Sequence, residues 1–427
     1  MLKHTPLPEL NNFLDQEVVV VGFVHAIRDQ GKIKFIRLRS ENSSIQLVVL
    51  NNHVKAFNQT ISLESVISVS GLVKATKQTK EGIELEVYDI QVLSLADTLP
   101  IPVAAEKGAG EVDIANRLDY RWLDLRRPEN HRIFQVWTKL EEGFRSNLLG
   151  QGFTQIYSPS LMSTASESGA EVFEVKYFDT KAYLAQSPQF YKQMAIASGF
   201  EKVFMVGPVF RAEPSFTTRH MTEFTGWDFE FAYIESHHDV MDMEEAALKS
   251  GFSALKKAGL IDEEISIPFI RLSLLDAKIK LSNQGVPSEK KHDLSPVEER
   301  ELCTTIKEET GSDFVFVTDY PIEARPFYHM RHANNPNLTK SFDLLYKGVE
   351  ITTGAQREHR INILESQARE KGMDLDALSN YLNFFRFGCP PHGGAGIGPG
   401  RIVTQIMSLK SVKEAAFLPR DVKRLSP

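Results

Sequence analysis

Residues 210–233 read FRAEPSFTTRHMTEFTGWDFEFAY, and an apolar run that begins at Val203 precedes them. From Trp227 to Ala232, aromatic side chains alternate with non-aromatic ones, which is the period of a β-strand. Two strands joined by a polar loop predict an antiparallel hairpin. Arg211 ends the first strand and Arg219 lies in the loop, so two guanidinium groups could hold a polyphosphate from both sides. A surface hairpin with solvated charges is the alternative for this stretch taken alone.

The composition predicts a folded protein of two or three domains, because 427 residues exceed one ordinary domain. Cys303 and Cys389 lie far apart without metal-ligand spacing, which favours free thiols in a reducing compartment. The first residues lack the apolar core of a signal peptide, and no apolar run is long enough to cross a membrane. We therefore expect a cytoplasmic protein without a membrane partner. The net charge of −7 still allows a local basic patch for nucleic acid.

Residues 17–94 contain five β-like runs, with a short helical stretch near His53–Thr60 after the third. The runs are Val18–Ala26, Ile33–Arg39, Ile45–Leu50, Val66–Lys74 and Ile83–Leu93. This order predicts a small closed barrel of the oligonucleotide-binding (OB) type. Arg28 and four other basic residues cluster around Phe35, as single-stranded nucleic acid requires for phosphate pairing and base stacking. A buried Phe35 beside a solvated charged face is an equally good interpretation.

Two further segments carry candidate chemistry. Asp343 and Glu350 flank a predicted hairpin turn, where two carboxylates could share a hard divalent ion such as Mg²⁺. Two exposed strand acids are the alternative. Residues 389–401 read CPPHGGAGIGPGR and lead into a helix that carries Arg401 at its start. Such a loop allows close approach of a ligand to the backbone, although a tight strand-to-helix connection explains it equally well.

Three separated blocks agree with one family: the strand at 152–159, the hairpin at 210–220 and the loop at 396–401. Together they resemble the three signature motifs of class II aminoacyl-tRNA synthetases. The match is closest to aspartyl-tRNA synthetases of the archaeal and eukaryotic-like type and runs over almost the whole chain.

The resemblance implies an α+β, multidomain fold. A five-stranded OB-fold anticodon-binding domain would occupy 1–100 and a hinge 101–130. A catalytic domain with an antiparallel sheet flanked by helices would occupy 131–427, with a helical insertion around 236–315. The first motif builds a homodimer interface in this family, which would place Pro159 near a two-fold axis.

The resemblance also implies a reaction in two steps. The carboxylate of L-aspartate attacks the α-phosphate of ATP, and the aspartyl group then passes to the 3′ end of tRNA-Asp, with tRNA-Asn open as a second acceptor. Arg211 and Arg401 would be the catalytic residues, since positioning and charge neutralisation are all that the step needs.

Site residues are assigned by the same resemblance. Aspartate would be bound by Glu167, Gln189, Lys192, Arg211, Thr353 and Arg357. ATP would be bound by Arg211, Glu213, Arg219, His220, Met221, Glu350, Gly398 and Arg401. Mg²⁺ would be held by Asp343, Glu350 and Thr353. The anticodon would be bound by Arg28, Phe35, Gln46 and Glu84.

Substrate choice is expected to follow from charge. Lys192 and Arg357 would be left unneutralised by the amide of asparagine, which favours aspartate. We expect Arg357→Ala to abolish aspartate activation with little loss of folding. For tRNA, His25 favours relaxed reading of tRNA-Asp and tRNA-Asn, whereas Lys80 favours strict reading, and the sequence leaves both open.

The chain departs from the family pattern at Gly400, where the third motif has an acid before its arginine. Thr353 stands for a serine and Ser168 for a glycine. Two other functions remain open: an asparagine–tRNA ligase of the same fold, and an RNA-binding paralogue without ligase activity. Lys192 and Arg357 oppose the first, and only Gly400 supports the second.

Overall fold

The computed structural model describes residues 4–103, 112–163, 171–214 and 217–426. By its contacts the chain divides into two compact units, Met1–Arg132 and Ile133–Ser426. The segment 101–130, for which the sequence predicts a hinge, belongs to the first unit and contains two short helices.

The first unit is a closed barrel of five strands in the order β1-β2-β3-β5-β4. Its elements are a 3-10 helix (Leu7–Phe13), β1 (Glu17–Asp29), β2 (Ile33–Ser40), β3 (Ser43–Leu50), α1 (Val54–Phe57), β4 (Val66–Ala75), β5 (Ile83–Ser94), α2 (Ile114–Asp119) and α3 (Arg121–Asp124). Burial alternates along the strands, so that Val20, Leu38 and Val69 fill the interior while their neighbours face outward. The predicted OB-type barrel is confirmed.

The second unit is built on an eight-stranded sheet in the order β12-β13-β14-β15-β16-β11-β10-β6. Its elements up to the centre of the chain are α4 (Pro128–Gly150), β6 (Thr154–Gln155), β7 (Leu161–Met162), β8 (Glu174–Tyr177), β9 (Thr180–Leu184), α5 (Gln189–Ala197), β10 (Lys202–Phe210), β11 (Glu223–Ala232) and α6 (His237–Lys257). The remaining elements are β12 (Ile270–Ser273), α7 (Leu274–Asn283), α8 (Pro296–Thr310), β13 (Phe314–Thr318), a 3-10 helix (Ile322–Ala324), β14 (Ser341–Tyr346), β15 (Val349–Arg357), α9 (Ile361–Glu370), α10 (Ser379–Phe385), β16 (His392–Ile397), α11 (Pro399–Ile406) and α12 (Val412–Ala415).

Most neighbours in this sheet are antiparallel, and only the outer pairs β12–β13 and β10–β6 are parallel. Helices α4 and α6 contribute to the same apolar core as the sheet, where Phe144 stacks on Trp227 with ring centroids 4.7 Å apart. Strands β7, β9 and β8 form a separate three-stranded sheet. The predicted combination of barrel and antiparallel sheet with flanking helices is therefore confirmed.

The segment 236–315 differs from its helical prediction. Strand β12 lies within it and pairs in parallel with β13, so part of the segment belongs to the main sheet. Helix α6 buries Val240, Leu248 and Phe252 in the core of the second unit. Four residues are too few for a strand period to stand out in the sequence, and the parallel partner of β12 is distant along the chain.

A buried acid on α6 gives a test of this packing. Neither carboxyl oxygen of Glu244 is paired with a cation among the described residues, and the neighbouring Thr352 hydroxyl only partly offsets its burial. Burial raises the pKa of Glu244 to about 8, and the carboxylates of Glu245 and Asp343 add to the rise. The folded state therefore keeps a proton that the unfolded state loses above its ordinary value of 4.5.

We predict that the free energy of unfolding falls as the pH rises from 5 to 7.5, and that Glu244→Gln removes roughly 3 kcal/mol of this fall. The measurement is denaturant unfolding at both pH values, with the exposed Glu308 on α8 changed to Gln as the matched control. Equal pH dependence in wild type and Glu244→Gln would show that Glu244 is ionised in the fold.

Candidate active site

A cavity of about 740 Å³ opens at one face of the second unit. The loop between β10 and β11, strand β15, the end of β16 and the start of α11 contribute to its lining. Eleven residues that the sequence assigns to substrates line the cavity: Gln189, Arg211, Glu213, Arg219, His220, Met221, Glu350, Thr353, Arg357, Gly398 and Arg401. The predicted hairpin is present, with Phe210 opposite Glu223.

Three of the arginines that line the cavity, Arg211, Arg219 and Arg401, differ in how far the protein already engages them. Arg211 is 44% exposed, lies over the ring of Phe224 and has Glu213 at 3.9 Å. Arg401 donates to the backbone carbonyl of Glu350 at 2.7 Å. Arg219 donates to the Glu299 carboxylate at 2.7 Å and to the carbonyl of Gly348 at 3.1 Å. Arg211 is therefore the most open of the three to an incoming anion.

The environment of His220 is cationic. Burial lowers its pKa, and the charges of Arg401, Arg211 and Arg219 lower it further. The imidazole is thus neutral at pH 7 and adds no positive charge beside these three arginines.

The predicted acid pair is brought together by the register of β14 and β15, in which Asp343 lies opposite Thr353. The Thr353 hydroxyl is 2.8 Å from Oδ1 of Asp343 and 3.3 Å from Oε1 of Glu350. Glu350 is desolvated by the surrounding protein and repelled by Asp343, and together these effects raise its pKa to about 7. Arg325, which the sequence did not indicate, donates to Oδ2 of Asp343 at 2.7 Å.

This donor set suits a hard divalent cation. Two carboxylates meet at one hydroxyl, and repulsion from Asp343 adds to the effect of desolvation on the pKa of Glu350. Oxygen ligands from one or two carboxylates, completed by water and phosphate, are what Mg²⁺ prefers. Within the described ranges no three His, Cys, Asp or Glu side chains form a larger metal cluster.

At the other end of the cavity Arg357 is almost completely buried, and each of its three guanidinium nitrogens has a hydrogen-bond partner. It donates to Oε1 of Glu230 at 3.0 Å, to Oε1 of Gln189 at 3.1 Å and to the carbonyl of Gly394 at 2.9 Å. Its Nη1 lies 2.8 Å from Nε2 of His329, whose pKa is lowered by burial and by the arginine. His329 is therefore neutral and accepts this hydrogen bond.

Lys192 is also paired within the protein. It donates to Oδ1 of Asp228 at 2.7 Å and to the carbonyl of Ala395 at 3.2 Å, and Oε2 of Glu230 is 3.5 Å away. It lies behind the lining of the cavity, whereas Asp228 reaches it. The two cations face two carboxylates, so the expectation of two uncompensated positive charges is revised. Asp228 and Glu230 alternate with aromatic residues on β11, and only the strand order shows that they meet Lys192 and Arg357.

Glu167 and Gly400 are the two other positions that the sequence singled out near the substrates. Glu167 lies outside the described residues. Gly400 lines the cavity, and a Cβ there would meet Val412 at 3.4 Å and Trp137 at 3.6 Å. These are ordinary contacts, so the backbone alone does not require glycine at this position.

In the first unit, the structure brings together the residues assigned to the anticodon. Arg28 pairs with Phe35 across β1 and β2, and Gln46 donates to Oε2 of Glu84 at 3.1 Å. Phe35 is half-buried and points away from the core side of Ile36 and Leu38. Lys80 is exposed in the loop between β4 and β5, and His25 is half-buried on β1.

Comparisons with known proteins identify the family. Residues 113–422 match the model of class II tRNA synthetases (D, K and N), and residues 18–93 match the OB-fold nucleic acid binding domain. The chain therefore belongs to the class II tRNA synthetases of this group.

The similar proteins include ligases of two tRNA specificities. An aspartate–tRNA(Asp/Asn) ligase of Aeropyrum pernix is 42% identical, covering 96% of this chain and 95% of the relative. An aspartate–tRNA(Asp) ligase of Thermococcus kodakarensis is 38% identical, covering 98% and 97%. Among solved structures, asparaginyl-tRNA synthetase of Pyrococcus horikoshii complexed with asparaginyl-adenylate has a TM-score of 0.91 at 32% identity, covering 100% of both chains.

The sequence led us to expect that replacing Arg357 would cause little loss of folding. The buried contacts of Arg357 change that expectation. We predict that Arg357→Met abolishes aspartate-dependent exchange of pyrophosphate into ATP and also destabilises the protein by about 3–5 kcal/mol, because Glu230 is left buried without its main partner. Arg357→Met combined with Glu230→Gln should recover much of the stability but not the exchange.

The measurements are pyrophosphate exchange and denaturant unfolding of the same preparations. Arg369→Met on α9, where the arginine is mostly exposed and pairs weakly with Glu365, is the control. Normal aspartate activation in Arg357→Met would remove Arg357 from the substrate site.

Proposed function

We propose that the chain is an aspartate–tRNA ligase that forms aspartyl-adenylate from L-aspartate and ATP and transfers the aspartyl group to tRNA-Asp. The observation that carries the proposal is the order of groups along one cavity. Open guanidinium groups and an acid pair lie on one side, and a buried Arg357 lies at the other end. The names of the relatives at 37–42% identity agree with it.

Adenylate formation needs no protein nucleophile, since the substrate carboxylate already carries its charge. Arg211, the most open arginine, is placed to neutralise the α-phosphate and the attacking carboxylate together. Arg401 is held by the Glu350 carbonyl and would meet the terminal phosphates of ATP. Phe224, beside Arg211, offers an apolar face for the adenine ring. The protein thus contributes alignment and charge compensation.

Asp343, Glu350 and Thr353 would hold Mg²⁺, which supplies charge neutralisation for the phosphates when bound. Arg325 already occupies one oxygen of Asp343 and so leaves Oδ1 directed to Thr353 and Glu350. With the pKa of Glu350 at about 7, a cation at this position would favour its ionised form.

Selection of aspartate over asparagine rests on the same buried charges. Because Lys192 and Arg357 are balanced by Asp228 and Glu230, a substrate carboxylate must draw one cation partly away from its partner. Arg357 has donors directed to Gln189 and to Gly394, neutral groups that lose little when a substrate carboxylate replaces one of them. An asparagine–tRNA ligase of the same fold is the second candidate, and the similarity in fold to asparaginyl-tRNA synthetases does not distinguish the two.

The proposal includes a homodimer and a cytoplasmic location. Large apolar side chains near the first motif lie exposed in the isolated chain, including Leu149, Tyr157 and Leu161, with Tyr157 81% exposed. Such a cluster is typical of a surface that a second copy covers. In the described part of the chain, no helix is long and apolar enough to cross a membrane. Cytoplasmic aspartate–tRNA ligases of rat and human are 38% identical to the chain.

The function is tested by aminoacylation of purified tRNA-Asp and tRNA-Asn transcripts with labelled aspartate. We expect charging of tRNA-Asp that requires ATP and Mg²⁺, and no charging of either transcript with labelled asparagine. Charging of tRNA-Asp alone would mark a strict ligase, and charging of both would mark a relaxed one.

Pyrophosphate exchange without tRNA separates the alternatives. Exchange that depends on asparagine instead of aspartate would replace the proposal by the asparagine ligase. A folded protein that shows neither exchange nor charging would favour the RNA-binding paralogue and would direct attention to Gly400.

A further inference from the structure

A buried histidine in the lining of the cavity faces Arg357. Residues 328–330 run antiparallel to residues 356–358, where β15 ends. Two backbone hydrogen bonds, of 2.9 and 3.0 Å, join these segments on either side of a bridge in which His329 lies opposite Arg357. His329 is only 2% exposed and contributes to the lining of the cavity. The backbone therefore fixes an imidazole beside the guanidinium group.

The protein uses most of the donors of Arg357 but not all of them. A guanidinium group has five N–H donors in one plane. Nε of Arg357 donates to Glu230, and Nη2 donates to Gln189 and to Gly394. Nη1 donates to Nε2 of His329 at 2.8 Å. Among the described residues, the second N–H of Nη1 is therefore left without an acceptor, and a ligand can take it without displacing a protein group.

The bond to Arg357 also fixes the state of the His329 ring. Burial and the charge of the arginine hold the pKa of His329 well below its usual range, so the imidazole is neutral. Because Nε2 is the acceptor, the single ring proton lies on Nδ1. Nδ1 is buried and has no hydrogen-bond partner in the described part of the chain. The ring therefore gives its one acceptor to the arginine.

Gln189 is oriented by Arg357 in the same way as His329. Its Oε1 faces the arginine, which leaves its Nε2 as a buried donor without a partner among the described residues. On the two neutral side chains that contact Arg357, the polar atoms left unpaired are therefore donors. Donors suit a carboxylate, which only accepts hydrogen bonds, whereas the amide of asparagine carries two N–H donors that need acceptors.

We propose that His329 is a positioning residue for aspartate, which accepts one N–H of Arg357 Nη1 and so directs the other to the side-chain carboxylate of the substrate. With His329 in place, all three guanidinium nitrogens are held, and the plane of the group is fixed. The inference rests on the proposed function and deepens it, because it names the residue that aligns the selecting arginine. His329 acts through Arg357 and not by its own contact with aspartate.

The experiment measures aspartate-dependent pyrophosphate exchange of the full chain with two amide variants at position 329. In His329→Gln the carbonyl oxygen takes the approximate place of Nε2, and Arg357 orients the amide as it orients that of Gln189. The side chain in His329→Asn has the same chemistry but is one methylene shorter, so it withdraws the acceptor. We expect the KM for aspartate to rise about tenfold in His329→Asn and to stay within about twofold of wild type in His329→Gln. The KM for ATP should not change in either variant.

His332→Asn is the matched control. It makes the same exchange three residues further along, at an imidazole that contacts Asp319 at 2.7 Å and is not among the described residues that line the cavity. Both KM values should stay at the wild-type level in this variant. Denaturant unfolding of each variant reports on the fold. An equal rise of the KM for aspartate and for ATP in His329→Asn would show a general loosening of the site and would overturn the proposal.

The other outcomes separate this inference from the proposed function. An unchanged KM for aspartate in His329→Asn overturns the inference alone, and so does a lower KM, which would mean that His329 competes with the substrate for Nη1. The same rise in His329→Gln as in His329→Asn would show that an acceptor is not what position 329 contributes. Wild type that exchanges only with asparagine, or not at all, overturns both. If His329→Asn unfolds, His329→Phe, which keeps a ring without an acceptor, takes its place with the same expected rise.

Discussion

The catalytic unit depends on a buried ion pair that spans a strand. Glu230 comes from β11 and Arg357 from β15, and β16 runs between these two strands. A Cβ on Gly394 of β16 would lie 2.4 Å from Oε2 of Glu230 and 2.0 Å from the carbonyl of Phe229. Glycine is therefore required there for the pair to form. An ion pair removed from water is tolerated only when its partners and hydrogen bonds are all in place. The pair between Glu230 and Arg357 therefore depends on β16 lying between β11 and β15.

In the proposed function, this pair lies at the end of the cavity that would bind the amino acid. With Lys192 and Asp228 included, the buried group carries two positive and two negative charges. A neutral site of this kind does not select a carboxylate by net charge, so recognition depends on which donors can be redirected to the substrate. Arg357 keeps two donors on neutral acceptors, and Lys192 keeps one on a carbonyl. Because an asparaginyl-tRNA synthetase shares this fold, we infer that the choice between aspartate and asparagine depends on such donors and not on the fold.

The sequence predicted what local patterns encode. The alternation of apolar residues located all five barrel strands within a few residues of their observed ends, and it located the central hairpin. The spacing of Asp343 and Glu350 around a turn correctly placed them on neighbouring strands. What it missed depends on pairing between distant segments: β12 in the main sheet, Arg325 beside Asp343, and the carboxylates that neutralise Arg357 and Lys192. Charge patterns along a chain do not show which opposite charges meet after folding.

Three buried glutamates illustrate how the fold distributes the cost of desolvation. Glu230 and Glu64 each hold two or more cationic partners, and these partners lower the pKa of both despite burial. Glu244 lacks such partners, and burial raises its pKa to about 8. An ionised buried carboxylate therefore marks a position where the protein fixes the geometry of a cation or an imidazole, because a neutral or apolar residue would be less costly in stability. By this criterion, Glu230 fixes the geometry of Arg357, which lines the cavity, and Glu64 fixes that of Arg39 and Arg126 in the barrel unit.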